Sequence, residues 1–491
     1  MSETMKKGLK IVIPMIIAVV IALLQPPEGL ERPAMIYMGI FECVVVWLVL
    51  NVVPDWAAFL ACIAAYAVFN VAKFGVVFAP FADTTIWLLI GAFGISVAIV
   101  KTGLVRRLAF SILRLFPESY KGQVSAFYTT GLVVTPFIPA LIGKGVILAP
   151  IASAASKALG YAKSSKAATG LFLTIWVTSG ILGYAFLTGA APAMITVGML
   201  PADQQANWTW TNWFLAAAVW FVVTAVLCYI AILVLYDPRK DKSVKGASGA
   251  EAGRSDEATA MAADNTLVRE KGFAKKQLAA MGPMSRDEKI TAVLLAAAIL
   301  GWIFGSKIGI NAATVSITVL AIMAVIGLVN TKDFTSGIPW DTVIFIGGIL
   351  SLASLLTQLG ISTWLATLMG PIAGPVVSNP YIFIIVVCLL TYVMRFVVVS
   401  SIATQVIFLA ALGGVGAAAG INPFIILFVC GNATDVWHLK FTNNVFVPIL
   451  GATKGEMCEH KDTMPFNIAF MVINLIACLA SVPVWQMMGL M

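Results

Sequence analysis

Long apolar runs separated by short polar stretches fill almost the whole chain, at 11–24, 34–52, 55–79, 84–112, 166–198, 210–236, 290–306, 309–330, 340–370, 421–453 and 464–490. Most are long enough, as helices, to cross a hydrocarbon layer about 30 Å thick. The pattern predicts an all-α polytopic membrane protein with about 11 transmembrane helices. The first run follows Lys6, Lys7 and Lys10, as in a secretory leader, but "QPPEGLERP" follows it where a small-residue cleavage site would stand. An uncleaved first span is expected.

Two further apolar stretches, 122–161 and 378–418, are interrupted near their middles by "PALIGKG" and "VVSSIATQ". Backbone that leaves the helix at membrane depth survives only where protein buries it or it lines a wet cavity. Both stretches are therefore expected to be re-entrant hairpins close to a functional site. The one long polar tract, 237–289, holds eleven basic and nine acidic residues among many Gly, Ala and Ser. It reads as a largely disordered cytoplasmic linker whose end is marked by a capping box at Ser285 and Glu288. The expected organisation is a first segment and span (1–33), a first repeat (34–236), the linker (237–289) and a second repeat (290–491).

The two halves are alike. "TTIWLLIGAFGISVAIVKTGLVRRLA" (84–109) aligns without a gap on "DTVIFIGGILSLASLLTQLGISTWLA" (341–366), matching Thr85 with Thr342, Gly91 with Gly348 and Gly103 with Gly360. A hairpin follows in each half, then a span broken near its middle by "LTGAAPAMI" (187–195) or "KFTNNVFV" (440–447). Five spans and one hairpin per half oblige the second copy to enter from the opposite side, giving an inverted repeat. That arrangement is the mark of secondary transporters, whose substrate sits near the midplane between half-helix ends.

Composition agrees: 60% of residues are hydrophobic, 11% are charged, and the mean hydropathy is +0.96. A formal charge of +8 raises the question of an acidic partner. Threaded with the N-terminus in the cytoplasm and the C-terminus outside, twenty-five of the 31 Lys and Arg fall on the cytoplasmic side, and only Arg32, Lys73 and Lys307 fall outside. The charge thus follows the positive-inside rule of an inner-membrane protein and requires no nucleic acid. Lys144, Arg395 and Lys440 remain, each in or beside an interruption. The seven cysteines form no C-x-x-C pair, which indicates neither a metal cage nor a disulfide framework. H-E-x-x-H and G-x-S-x-G are absent and the chain has two histidines, so a membrane-embedded enzyme is disfavoured. A channel would share this topology but would lack saturable uptake and counterflow.

"ADTTIWLLIGAFGISVAIVKTGLVRRLA" and "SGIPWDTVIFIGGILSLASLLTQLG", each followed by a hairpin, resemble the divalent anion/sodium symporter (DASS) family of di- and tricarboxylate transporters. The resemblance covers about 30–236 and 288–490. It implies a homodimer in the lipid bilayer with a fixed scaffold and a moving, elevator-like transport part. It also implies that residues at the hairpin tips and helix breaks bind a small organic anion, and that sodium is a possible coupling ion. In place of the family's Ser-Asn-Thr triplets the tips read Ala140-Leu141-Ile142 and Ser400-Ser401-Ile402, the latter followed by Ala403-Thr404. The family's Pro-Pro-Asn turn reads Ala191-Pro192-Ala193 in the first half, with Thr442-Asn443-Asn444 in the second. The substrate site implied comprises Ala140, Leu141, Ile142, Lys144, Pro192, Ser400, Ser401, Thr404, Thr442, Asn443 and Asn444. Sodium would lie near Ser400, Ser401 and Asn444.

A lysine at the bilayer centre costs about 2.5–3.5 kcal/mol on insertion scales, so Lys144 needs a purpose. Its ammonium either replaces a bound cation or pairs with the anionic substrate; the alternative is a lysine near the cytoplasmic face that reaches water. Gly143 and Gly145 would let the backbone turn tightly. Ser400, Ser401, Thr404, Gln405, Thr442, Asn443 and Asn444 offer hydroxyl and amide groups at the second tip and break. They serve a ligand, or bond their own backbone. Asp435 and His438, spaced i, i+3, would share a helix face and exchange protons as a coupling site, or form a structural ion pair. Arg395 either attracts anions or pairs with Glu42 or Asp341. The function expected is secondary transport of a small organic anion such as a C4-dicarboxylate, coupled to sodium, protons or counter-anion exchange.

Overall fold

The computed structural model describes residues 3–240, 272–440 and 442–491. The first repeat begins with α1 (Glu3–Leu23), α2 (Arg32–Leu50), α3 (Asp55–Val68) and α4 (Thr84–Lys101), followed by a separate short helix α5 (Leu104–Leu113). Hairpin arms α6 (Tyr120–Val134) and α7 (Leu141–Ala158) come next, then the broken span α8 (Lys166–Trp176) and α9 (Ala191–Met199), and α10 (Trp210–Leu235). After α11 (Phe273–Ala280) the order recurs with α12 (Arg286–Phe304), α13 (Ala312–Val325), α14 (Trp340–Gln358) and α15 (Ile361–Val377). Arms α16 (Pro380–Met394) and α17 (Ser401–Ala418), broken span α18 (Pro423–Ala433) and α19 (Phe446–Ala452), and α20 (Met464–Met487) complete it.

Among the described residues nine helices are long and apolar enough to span a bilayer, two of them being the second hairpin arms α7 and α17. The expected apolar runs and both hairpins follow in the expected order, with corrections: run 55–79 is helical only over Asp55–Val68 and Phe74–Val77, and two others break alike. Runs 84–112 and 340–370 are not single spans. Each ends at a glycine with positive φ, Gly103 (+81°) and Gly360 (+70°), and continues as a separate helix. The two glycines are partners in the internal alignment, so the repeat is one of backbone conformation as well as of sequence. Side chains disfavour this left-handed geometry by about 1–2 kcal/mol. Gly103→Ala and Gly360→Ala are each expected to lower the thermal midpoint in detergent, and the double variant to lower it by the sum of the two shifts, since the sites share no partner.

The linker is corrected as well. Residues 241–271 lie outside the described residues, but its end is built. α11 packs on α5 through an edge contact of Phe273 with Phe110, and Arg107 of α5 grips the turn that follows. The Arg107 guanidinium donates to the Gly282 carbonyl (2.8 Å) and bridges Glu288 (2.7 Å), the same carboxylate that completes the expected capping box with Ser285. At the end of α4, Lys101 reaches Asp333 at 2.5 Å; the Asn330 amide and this ammonium hold the Asp333 carboxyl below its ordinary range.

The helices pack in two groups. α2, α3, α4, α13 and α14 form one, with α4 on α13 and α3 on α14. The hairpins, broken spans, α10 and α20 form the other, with α10 on α20 and α7 on α19. The groups meet where α9 lies against both α4 and α14.

Candidate functional site

Pro136 and Pro139 set the first tip: α6 ends in a short 3₁₀ turn at Thr135–Phe137, residues 138–140 run extended, and α7 starts at Leu141. A proline cannot supply the amide that would continue a helix. In the span that follows, α8 loosens into a π turn (Val177–Ile181) and a 3₁₀ turn (Leu182–Ala185), and residues 186–190 leave the helix before Pro192 starts α9. Four hydrogen bonds join this break to the tip: Thr135 Oγ1 to the Thr178 carbonyl (2.5 Å), Thr188 Oγ1 to the Pro136 carbonyl (2.7 Å), the Ala191 amide to the Pro139 carbonyl (3.2 Å), and Lys144 Nζ to the Gly189 carbonyl (2.7 Å).

Lys144 has no exposed surface, which removes the reading in which it reaches water. Among the described residues no carboxylate comes within ion-pair distance of it, and one carbonyl takes one of its three protons. The flanking glycines do not serve a tight turn: both lie within α7, and neither has positive φ. Gly145 instead permits close packing, because a Cβ there would collide with Ile449 of α19 in the other repeat. Ala140 is the N-cap of α7, with Leu141 half-buried and Ile142 exposed beside it, and Pro192 is half-buried at the break.

The second tip is built around Arg395, likewise without exposed surface. Its guanidinium donates to the carbonyls of Val398 (2.7 Å), Val399 (2.5 Å) and Thr442. It pairs with neither Glu42 nor Asp341, and one Glu42 carboxylate oxygen is buried without a partner. Each repeat thus has a buried side-chain cation that fastens a hairpin tip to the broken span after it. In the first repeat the cation follows the tip, and in the second it precedes it.

Several sequence-predicted ligands are occupied locally. Ser400 Oγ caps α17 by accepting from the Ala403 amide, and Thr404 Oγ1 donates to the Ser400 carbonyl. Thr442 Oγ1 closes on Leu439, and Asn443 Oδ1 accepts from the Val445 and Phe446 amides just before α19 while its Nδ2 reaches the Asp435 carbonyl. Ser401, half-buried, and Asn444, exposed, make no side-chain hydrogen bond among the described residues.

Asp435 and His438 do not share a helix face, because α18 stops at Ala433 and both lie in the irregular segment beyond it. His438 stacks on Phe396 of the second tip, with ring centroids 4.4 Å apart and planes 6° apart. Its Nδ1 lies 3.2 Å from Asn467 Nδ2. Asp435 makes no ion pair among the described residues, and the expected Asp/His pair is not formed.

Residues 5–491 match the family described as the sodium:sulfate symporter transmembrane region. The chain belongs to that family. Membership makes this symporter-family protein a multi-pass secondary transporter of organic anions. It is 29% identical to an "Uncharacterized transporter" of Haemophilus influenzae over 95% of this chain and 91% of the relative. It is 26% identical to "Dicarboxylate transporter 1, chloroplastic" of Spinacia oleracea (84% of this chain, 69% of the relative) and 24% identical to an "L-tartrate/succinate antiporter" of Escherichia coli (96% and 97%). In fold it resembles the YdaH transporter of Alcanivorax borkumensis, with a TM-score of 0.55 at 14% identity over 99% of this chain and 98% of that one.

Two participants escaped the sequence reading. Tyr184 and Thr196 flank the first break and meet Gln405 of the opposite repeat. A tyrosine amid the glycines of "SGILGYAFLTG" was the available signal.

Proposed function

We propose that this protein exchanges small organic dianions of the C4-dicarboxylate type across the membrane and needs no sodium. The observation that carries the reading is Lys144: an ammonium with no exposed surface, no counter-ion within ion-pair distance among the described residues, and two unspent N–H donors beside the first tip. A buried ammonium without a partner is costly, and an anionic substrate supplies one. Arg395 places a second fixed charge at the other tip, and two cations suit a ligand with two carboxylates. The relatives named for dicarboxylate and for tartrate/succinate carriage support this substrate class.

Both cations are covalent parts of the chain and cannot leave with the cargo as a sodium ion would. Carrying them unpaired through the bilayer midplane is expensive, whereas the loaded site is close to neutral. Only the loaded carrier crosses readily, which is exchange. In this reading the hairpins and broken spans move as one body past α4 and α14, in a homodimer of the inner membrane with a cytoplasmic N-terminus. Asp435 and His438 brace the second break rather than relay protons.

Labelled succinate should enter proteoliposomes preloaded with succinate at the same rate in sodium and in N-methylglucamine, and should barely enter empty ones. Uptake into empty vesicles that follows an imposed sodium gradient or an imposed pH gradient would overturn the reading.

A further inference from the structure

Gln405 lies one turn beyond the second tip, on α17, and is 1% exposed. Its Oε1 lies 3.2 Å from Tyr184 OH and 3.1 Å from Thr196 Oγ1, both contributed by the first broken span. The two hydroxyls are 2.5 Å apart, so one donates to the other and the remaining proton goes to Gln405. Its oxygen faces the hydroxyls, and its Nε2 has no partner among the described residues.

Neighbours hold the arrangement in place. Trp213 Nε1 donates to the Tyr184 carbonyl at 3.0 Å, and the Tyr184 ring packs against Phe428. Its hydroxyl presses on Gly431 of α18, where any Cβ would collide with it. Tyr184 and Thr196 stand on either side of the break whose Gly189 carbonyl anchors Lys144. Gln405 stands just past the tip that Arg395 fastens. The amide therefore joins the element carrying one fixed cation to the element carrying the other.

We propose that Gln405 is a specificity-determining residue, an uncharged donor held by Tyr184 and Thr196 that reads an oxygen on the carbon chain between the two carboxylates of the substrate. This rests on the dicarboxylate reading above. Lys144 takes one carboxylate and the fixed charge of Arg395 favours the other, and the amide is left to favour 2-hydroxy- and 2-oxo-dicarboxylates over succinate. A site built to hydrogen-bond a substrate oxygen discriminates against the analogue that lacks it, because the donor is then left unpaired.

The test is the ratio of malate to succinate exchange in proteoliposomes, measured on one preparation so that the amount of folded protein cancels. Wild type should prefer malate, and Gln405→Leu should shrink that preference by about tenfold. Tyr184→Phe and Thr196→Val, near-isosteric changes that free the amide to turn, should shrink it part of the way, mainly through the KM for malate. An unchanged ratio in Gln405→Leu, with both substrates still exchanged, overturns the assignment and spares the dicarboxylate reading. Wild-type protein that exchanges neither substrate overturns the dicarboxylate reading and this inference with it. If Gln405→Leu cannot be purified folded, the two isosteric variants decide, and an unchanged ratio in both overturns the assignment.

Discussion

Lys144→Met should lower succinate exchange by about 100-fold while leaving the thermal stability of the detergent-solubilised protein unchanged or slightly higher. The two halves of that expectation have separate causes. Truncating one partner of a buried, hydrogen-bonded charge pair costs about 2–5 kcal/mol of binding, and the substrate is the partner Lys144 lacks in the free protein. The free protein, by contrast, pays for an ammonium buried against a single carbonyl, and methionine removes that cost at nearly equal volume. The Gly189 carbonyl loses its donor, which limits the gain. Exchange and thermal unfolding measured on the same preparation check both parts. A variant that exchanges like wild type would show that Lys144 does not anchor the substrate, and one that is merely unstable would show a structural lysine.

The opposite balance is expected at Arg395. Its guanidinium satisfies three carbonyls, those of Val398, Val399 and Thr442, where no surface is exposed. Leaving a buried acceptor unpaired costs about 1–3 kcal/mol, so Arg395→Met should destabilise the protein by at least about 3 kcal/mol and abolish exchange together with tip geometry. Arg395→Lys should recover part of the stability, because an ammonium cannot span the three acceptors that a planar fork reaches. Thermal unfolding of the two variants beside wild type decides it. Equal midpoints for Met and wild type would mean that the carbonyls find other donors and that Arg395 does not hold the tip.

The two cations are unequal although each fastens a tip to a break. Lys144 spends one donor on the protein and keeps two, whereas Arg395 spends most of its fork on backbone. The first hairpin can afford this because Thr135, Thr188 and Ala191 tie its tip to the neighbouring break without the lysine. The second tip relies on Arg395 and on the Phe396 and His438 stack. Any asymmetry in how the two hairpins open should follow this difference.

Much of the fold was legible because a bilayer imposes simple rules. Apolar length gave the crossings, interruption gave the hairpins and the broken spans, and the alignment of 84–109 on 341–366 gave the repeat. The same alignment paired Gly103 with Gly360, yet hydrophobicity runs straight through both positions, so their left-handed conformation and the helix break there were hidden. The capping box at Ser285 and Glu288 was legible because both partners lie within one turn; the grip of Arg107 on that carboxylate, 181 residues away, was not.

The sequence by itself singled out the segments proposed to hold the site, since Lys144, Arg395 and the polar runs at the second tip and break are conspicuous against an apolar background. Only the tertiary structure decided what each group has left to offer. Ser400, Thr404, Thr442 and Asn443 spend their hydrogen bonds on nearby backbone, Asp435 and His438 leave the helix that would have paired them, and Lys144 keeps two protons. The physical reason is that a hydrogen-bonding group's availability is its capacity minus its partners. Capacity is written in the residue type, whereas the partners of Lys144 and Gln405, the Gly189 carbonyl and the Tyr184 and Thr196 hydroxyls, come from segments 45 to 221 residues away.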